Sequence, residues 1–397
     1  MSPTKRILYQ AFLWLALALS LFVLVRFAGP LLIKTKFWEG DYVLYWSTGR
    51  LNWLRENPYS MERNLQLEKE NGLIDPAVTE IAIMRYPPWV MPLITFFGIF
   101  DYPTSRLLWL LFCTGCLLFS FDISWKLCQG DPRRRWLAML IGFTFVPVLF
   151  ALGRGQISAL LLLSVALFIK YSQDTRHHLA AGAALVIASV KFHALLLFFL
   201  AIGLWVIKNR HWKIALGSLA AVLALLAMVL PINPNILWQY LTTPEAIPYT
   251  NFATPAIGTL LRVLFAPDQV WLQFLPTSIG VAWLIGYWLK RSSDWNWLRA
   301  APLLLTASYV AAPFAWTYDQ AALALIGIQL GSALLQQKPG RREMAAVVGY
   351  IFINLFTLFA HRIYDDFWFF WLAPAWLVFY LLARRLRGFR QYEQKIL

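Results

Sequence analysis

The sequence predicts an all-α membrane protein with many transmembrane helices, on the evidence of its hydrophobicity, its charge distribution and its aromatic content. Of its 397 residues, 59% are hydrophobic and only 14% are charged, whereas about a quarter of the residues in a soluble domain are charged. At about 20 apolar residues per crossing, this content suffices for about 11 or 12 spans and leaves no separate soluble domain. The 20 Trp residues are typical of side chains at the boundary between hydrocarbon and headgroups.

The net charge of +15 comes from basic residues that lie between the apolar runs. Most Lys and Arg residues belong to Lys5 and Arg6 or to the stretches 126–136, 170–178, 208–213, 290–299, 338–342 and 384–397. Basic loops are typical of the cytoplasmic side, so we expect a multi-pass protein of the cell membrane with both termini in the cytoplasm. Because the basic charge follows membrane topology, the pattern disfavours nucleic-acid binding.

Two basic stretches on the same side must be joined by an even number of crossings. The segments 137–169 and 179–207 are each about 30 residues long, and each is therefore predicted to form a hairpin of two short helices that turns near the outer face. The remaining predicted crossings are 7–27, 106–126, 214–231, 271–289, 300–313, 319–335, 344–360 and 367–383. Together they give a single membrane domain over residues 1–397 with about 12 transmembrane helices.

The segment Tyr86 to Phe100 is apolar but is interrupted by Pro87, Pro88 and Pro92. Prolines disrupt a regular helix, so this segment is predicted to be re-entrant or interfacial. Two large outer loops are predicted at 28–85 and 232–270. The first contains a predicted amphipathic surface helix around residues 60–71, whose charges are expected to face water.

Few charged side chains are placed where chemistry is plausible. Asp41 lies in an aromatic stretch after the first span, where it either caps a helix or acts as a functional carboxylate. Arg154, between two glycines, and Lys191 with His193 occupy the two predicted hairpin turns. Cations buried near a membrane need anionic partners, which are either acids from other helices or a ligand phosphate.

Other reactive residue types give weaker signals. His361 with the adjacent Asp365 and Asp366 suggests a metal site only weakly, because a second cluster of ligands is missing from the pattern. Cys113, Cys116 and Cys128 are expected to pack as small hydrophobic side chains. A Gly-rich nucleotide loop is not evident, so an enzyme with this sequence would need a donor of another kind.

An ordered series of motifs carries a family resemblance. It runs from Gly40-Asp41-Tyr42 and Tyr45 through Asn57-Pro58-Tyr59, Tyr86-Pro87-Pro88, Gly155-Gln156 with Ser158, and Lys191, to the looser stretch from Pro313 to Asp319. The sequence resembles the membrane glycosyltransferases of the GT-C superfamily, specifically family 87, typified by polyprenyl-phosphate-mannose-dependent α-mannosyltransferases. The resemblance implies a GT-C-type helical bundle with extracytoplasmic loops.

The resemblance also implies a reaction and roles for residues. A sugar, with mannose favoured, would pass with inversion from a polyprenyl-phosphate donor to a lipid or glycan acceptor on the extracytoplasmic side, with Asp41 as general base. The implied phosphate ligands are Arg154, Lys191, His193 and Arg85, and the implied substrate-binding residues are Tyr42, Tyr45, Tyr86, Gln156, Tyr318 and Asp319. The implied partners are the donor, the acceptor and membrane lipid, and neither a cofactor nor a metal is expected.

The sequence departs from the family at Phe192, where many relatives have proline, and at Tyr318, near which some relatives have histidine. These departures concern the acceptor and the sugar. From another functional class, a transporter or lipid flippase would share the helices and the basic turns. Such a protein usually carries carboxylates at mid-membrane depth, which the predicted spans lack. A binding or scaffold protein is the third alternative.

Overall fold

The fold is all-helical, as the sequence predicts. A computed structural model describes residues 40–82, 84–243, 252–335, 340–387 and 389, and this part of the chain contains helices and no strand. The predicted first span at 7–27, together with Lys5 and Arg6, lies outside the described residues. Within them the chain packs as two compact units. Unit 1 comprises residues 40–112, 153–155 and 228–243, and unit 2 comprises the rest. The single membrane domain stays a prediction.

The helices have the following bounds. The α-helices are α1 (Tyr42–Trp53), α2 (Met61–Glu70), α3 (Met91–Gly98), α4 (Tyr102–Leu127), α5 (Trp136–Phe143), α6 (Val146–Arg154), α7 (Leu161–Ser172), α8 (His178–Ala188), α9 (Leu196–Asn209), α10 (Trp212–Val229), α11 (Ile236–Leu241), α12 (Ile257–Phe265), α13 (Leu275–Arg291), α14 (Trp297–Ala311), α15 (Ala324–Leu335), α16 (Arg341–Ala360) and α17 (Leu372–Ala383). Short 3₁₀ segments are Pro88–Val90, Pro132–Arg134, Ile157–Leu160, Thr175–His177, Ser189–Leu195, Val270–Phe274, Thr317–Leu323 and Asp366–Phe369.

Seven helical segments of the described chain are long and apolar enough to cross a membrane. They are Tyr102–Leu127, Thr175–Asn209, Trp212–Val229, Val270–Arg291, Thr317–Leu335, Arg341–Ala360 and Asp366–Ala383. The pair α5 and α6, bent by 71°, makes an eighth if it counts as one span. Trp212–Val229 is only 17% buried although it is apolar, as expected for a lipid-facing helix. The protein is therefore a polytopic membrane protein, and the total of 12 spans stays a prediction.

Unit 1 is built on the close packing of α1 against α3. A Cβ atom on Gly49 would collide with the backbone of Ile94, and one on Gly98 would collide with the backbone of Gly49. Glycine at both positions lets the two backbones touch. Asn52 Nδ2 donates to Thr95 Oγ1 at 2.9 Å in the same interface. The apolar segment Pro88–Gly98 is a short helix, and its packing holds α1 in place.

The helix α2 lies in unit 1 and begins after Ser60, whose side chain accepts a hydrogen bond from Arg63 N. Its charges do not all face water as expected, because the Glu68 side chain is buried. Ser47 Oγ donates to Glu68 Oε1 at 2.7 Å. Burial raises the pKa of Glu68 to about 7, against the smaller opposing effect of the Ser47 hydrogen bond. Glu68 therefore ties α2 to α1.

In unit 2, the chain reverses direction around Lys191. The rings of His178 and Trp205 lie 5.9 Å apart, although a straight helix over the intervening 27 residues would separate them by about 40 Å. Lys191 has non-helical dihedrals (φ −126°, ψ 46°) inside the segment Ser189–Leu195. The reversal places Lys191 at the turn between α8 and α9, so Thr175–Asn209 is long enough to cross a membrane but is a hairpin and not one straight helix.

A second distortion in unit 2 separates α5 from α6. Pro147 lies in the first turn of α6, and a proline disfavours continuation of a helix because its ring clashes with the carbonyl group four residues earlier. Val146 is the first residue of α6, so its amide has no partner within the helix. Val146 N donates to Asn354 Oδ1 at 2.8 Å instead. The bend therefore has a polar partner on α16.

Candidate functional site

Asp41 stands at the start of α1 in unit 1. It occupies the N-cap position with φ −68° and ψ −3°, but its carboxylate makes no capping hydrogen bond. Of the two interpretations that the sequence left open, helix capping is therefore not what the structure shows. The Asp41 side chain is half-buried, and the neighbouring Tyr42 and Tyr45 are buried. Asp41 thus lies at the first residue before α1, close in sequence to two buried tyrosines.

The turn that carries Arg154 packs against this terminus within unit 1. A Cβ atom on Gly40 would lie 2.5 Å from Arg154 Cα. Gly155 has φ +66°, and a Cβ atom there would lie 2.8 Å from Tyr42 Cβ. The left-handed conformation and the lack of space both require glycine. As a result, the residues on either side of Asp41 contact Arg154 and Gly155, and the Arg154 side chain is exposed.

Two residues of α4 hold this turn in position. Arg106 is buried and donates from Nη2 to the Gly153 carbonyl oxygen at 2.6 Å. Its guanidinium also lies 5.2 Å from the centre of the Tyr42 ring. Trp109 Nε1 donates to the Gly155 carbonyl oxygen at 2.7 Å. Sequence reasoning did not single out Arg106, although an arginine at the start of an apolar run is a signal of a functional or structural partner.

The predicted aromatic substrate residues of unit 1 contact one another. The hydroxyl groups of Tyr45 and Tyr86 lie 3.2 Å apart, and their ring centres are 5.8 Å apart. The Tyr42 and Tyr45 rings both pack on Trp109, at 5.5 Å and 5.8 Å. Arg85 is half-buried, and its Nη2 donates to the Thr243 carbonyl oxygen at 3.2 Å. The aromatic rings therefore form one wall beside the start of α1.

Unit 2 contains a buried ion pair between Lys191 and Asp319. Lys191 Nζ lies 2.5 Å from Asp319 Oδ1, with side chains that are 5% and 1% exposed. The same ammonium donates to Gln156 Oε1 at 3.1 Å. Ser158 Oγ donates to Asp319 Oδ1 at 2.6 Å. The charge of Lys191 is thus balanced by an acid from another helical segment, which is one of the two partners that the sequence left open.

Aromatic groups surround this ion pair. Lys191 Nζ lies 4.9 Å from the centre of the Tyr318 ring, which stacks with Trp316 at 6.1 Å. The Tyr309 hydroxyl donates to the Asp319 carbonyl oxygen, and Trp316 N donates to Asp319 Oδ2 at 2.9 Å. His193 follows Lys191 at the turn, and its side chain is exposed. The Lys191–Asp319 ion pair is therefore enclosed by protein, whereas the side chain of His193, two residues after Lys191, is exposed.

The residues considered for a metal site form a different arrangement in unit 2. His361 Nε2 lies 3.2 Å from Asp366 Oδ1, and Asp366 Oδ2 accepts a hydrogen bond from Thr317 N at 3.3 Å. Asp365 is exposed. Among the described residues, no group of three or more His, Cys, Asp or Glu side chains is placed to hold a metal ion. The pair thus links the end of α16 and the 3₁₀ segment Asp366–Phe369 to the segment that carries Asp319.

The predicted site residues fall into two sets, each of which the structure brings together within one unit. Unit 1 holds Asp41, Tyr42, Tyr45, Arg85, Tyr86 and Arg154, and unit 2 holds Gln156, Lys191, His193, Tyr318 and Asp319. Sequence reasoning listed Lys191 and Asp319 separately, and the structure pairs them. The partners that it did not assign to the site are Arg106, Trp109, Tyr309 and Ser158, the last of which it named only as part of the Gly155-Gln156 motif.

The apolar helices and the buried charged centre define a polytopic helical membrane protein. The sequence profile of glycosyltransferase family 87 matches residues 85–337, more than half of the chain. The chain belongs to glycosyltransferase family 87, and it is a glycosyltransferase. Comparisons with curated proteins and with solved structures gave no match. The matched region includes Tyr86, Arg154, Lys191 and Asp319, and it begins after Asp41.

Proposed function

We propose that this glycosyltransferase moves a sugar, with mannose favoured, from a polyprenyl-phosphate donor to a hydroxyl group of a lipid-linked or cell-envelope acceptor. The reaction takes place on the extracytoplasmic side. Membership of family 87 supports sugar transfer over transport or lipid flipping. The single observation that carries the mechanism is the half-buried Asp41, without a capping role and next to the turn at Arg154.

In this proposal Asp41 is the general base. The acceptor hydroxyl loses its proton to the Asp41 carboxylate as its oxygen forms a bond to the anomeric carbon. The bond between the anomeric carbon and the phosphate oxygen breaks at the same time, and polyprenyl phosphate leaves with the bonding electrons. One direct displacement inverts the configuration at the anomeric carbon, because no enzyme nucleophile takes part.

The leaving phosphate needs cations and hydrogen-bond donors more than a general acid. Arg154, Lys191, His193 and Arg85 supply these groups in the proposal. A guanidinium can donate two parallel hydrogen bonds to phosphate, and the Arg154 side chain is exposed at the surface of its turn. The charge on the leaving group is thereby stabilised as the bond breaks.

The sugar and acceptor contact the polar and aromatic side chains. Tyr42, Tyr45 and Tyr86 form the wall beside Asp41 in unit 1. In unit 2, Gln156, Tyr318 and Asp319 form the polar surroundings of Lys191. Tyrosine and glutamine combine ring surface with hydrogen-bonding groups, which suits a sugar.

The test is sugar transfer by the full chain reconstituted in lipid vesicles, with a radiolabelled polyprenyl-phosphate mannose as donor. Asp41→Asn is expected to lower turnover at least about a hundredfold, the usual contribution of a general base, without loss of donor binding. Asp75→Asn is the matched control, because Asp75 is an exposed acid of the same outer loop. Unchanged turnover in the Asp41 variant would remove the proposed base.

The same assay tests the sugar and the lipid. A panel of polyprenyl-phosphate sugars is offered in turn to the wild-type protein. Transfer from the mannose donor in preference to the others is expected. Transfer only from a nucleotide sugar would refute the proposed donor class.

A further inference from the structure

Unit 2 contains a cleft at the end that carries the basic loops. Its volume is about 780 Å³, within the range of ligand-binding pockets. The ends of α4, α7 and α9 and the beginning of α14 form its walls. Ser158, a partner of Asp319, lies in the 3₁₀ segment that precedes α7, whereas Lys170 lies near the far end of α7, a helix about 18 Å long. The cleft is therefore separate from the charged centre at Lys191 and Asp319, with which it shares no lining residue.

The charged side chains of the cleft favour an anion. Lys126 and Lys170 line it, together with one acid, Asp122. Asp122 is neutralised, because Lys126 Nζ lies 2.6 Å from its Oδ2 and Arg135 Nε donates to its Oδ1 at 2.7 Å. Lys170 is exposed and makes no ion pair within the part of the chain that the structure describes. The cleft and its immediate partners thus carry a net positive charge.

The remaining lining is apolar and aromatic. Phe119 is 52% exposed and lies seven residues before Lys126 on α4, a separation of about 10 Å along the helix. Trp205, Trp295 and Trp297 also line the cleft. Among the described residues, the buried Nε1 atoms of Trp295 and Trp297 have no hydrogen-bond partner. The cleft therefore has a cationic end and an apolar end.

We propose that this cleft binds an anionic phospholipid. The phosphate lies beside Lys126 and Lys170, and an acyl chain follows the exposed ring of Phe119. A free phosphate ester would use the cationic end alone, whereas a lipid uses both ends. Basic pockets between membrane helices bind anionic headgroups, and Trp residues are typical of this depth in the membrane.

The experiment measures lipid binding to the delipidated full-length protein in detergent by native mass spectrometry. The protein is titrated with phosphatidylglycerol, with phosphatidylcholine and with glycerol 3-phosphate. Tighter binding of phosphatidylglycerol than of phosphatidylcholine, by about twenty-fivefold, is expected, since each of the two lysines near an anionic headgroup contributes roughly fivefold. Equal affinity for the two lipids would overturn the proposal, and so would equally tight binding of glycerol 3-phosphate.

Three variants locate the site. K126Q/K170Q is expected to lose the preference for phosphatidylglycerol, whereas K213Q/K290Q, which removes two exposed lysines outside the cleft, is expected to retain it. Equal losses in both pairs would show diffuse attraction and refute the proposal. Q173W adds bulk to the cleft without changing its charge and is expected to weaken phosphatidylglycerol binding. Unchanged binding in Q173W would place the lipid elsewhere and overturn the assignment.

Discussion

Replacing Lys191 by methionine is expected to lower the free energy of unfolding by about 3–5 kcal/mol, because the Asp319 carboxylate would stay buried without its cation. The two groups are 2.5 Å apart, and their side chains are 5% and 1% exposed. Water therefore cannot replace the lost ammonium at low cost. Methionine keeps most of the volume of the lysine chain, so the change tests the charge rather than the packing.

A double-mutant cycle separates the ion pair from its surroundings. Asp319→Asn removes the negative charge but keeps an oxygen for the hydrogen bond from Ser158 Oγ. The double variant, with methionine at 191 and asparagine at 319, leaves neither charge unpaired. It is expected to lose less stability than the sum of the single variants, by about 2–3 kcal/mol, since groups in contact are strongly coupled.

The measurement is equilibrium unfolding of the four proteins in mixed detergent micelles, followed by circular dichroism. Arg63→Met is the matched control, because Arg63 Nε and Glu56 Oε2 are equally close, at 2.6 Å, but exposed by 39% and 35%. Its cost is expected to be much smaller than that of Lys191→Met, because an exposed ion pair contributes little to stability. The reasoning is refuted if the losses of stability in the two single variants sum to the loss in the double variant. It is also refuted if Arg63→Met lowers the free energy of unfolding as much as Lys191→Met does.

Two further predictions concern unit 1 and use the same unfolding measurement. Gly155→Ala is expected to destabilise the protein by about 1–2 kcal/mol, because alanine disfavours the left-handed conformation. The collision of the new Cβ atom with Tyr42 Cβ adds to this loss. Gly115→Ala, where a Cβ atom meets nothing within 4 Å in α4, should be neutral or stabilising, and equal effects would contradict the reasoning. The stability of the wild type is expected to fall as the pH rises from about 4.5 to about 7, because burial raises the pKa of Glu68 and folding favours its protonated form. Glu68→Gln should remove this slope, and an unchanged slope would exclude Glu68 as its source.

The helical architecture could be predicted because long apolar runs and basic loops set it directly. The predicted span 214–231 corresponds to Trp212–Val229, and the predicted span 344–360 corresponds to Arg341–Ala360. Apolar length is a property of one segment, so it can be read without any partner. The 71° bend between α5 and α6 was not predicted, although Pro147 marks it. Its partner Asn354 is 208 residues away, which no local pattern can show.

The sequence indicated that Lys191 has a partner, but it did not show that this partner is Asp319. An isolated cation in an apolar run indicates that a partner exists, and this rule correctly selected Lys191. It does not identify the partner, because Asp319 is 128 residues further along the chain. Arg106 was overlooked for a related reason. At the start of a span, a buried arginine that donates to a turn has the same sequence pattern as one whose charge reaches the headgroups.

The cations at the two predicted turns have different surroundings, and this difference bears on the proposed reaction. Lys191 already has a carboxylate 2.5 Å away, so a phosphate at the same ammonium would add a second negative charge to an enclosed site, at a high desolvation cost. Arg154 is exposed, on a turn whose backbone touches the residue before Asp41. In the proposed reaction, a donor phosphate would therefore meet a lower desolvation cost at the exposed Arg154 than at the enclosed Lys191. In the same proposal Lys191 would also fix the positions of Gln156 and Asp319, to which it donates hydrogen bonds.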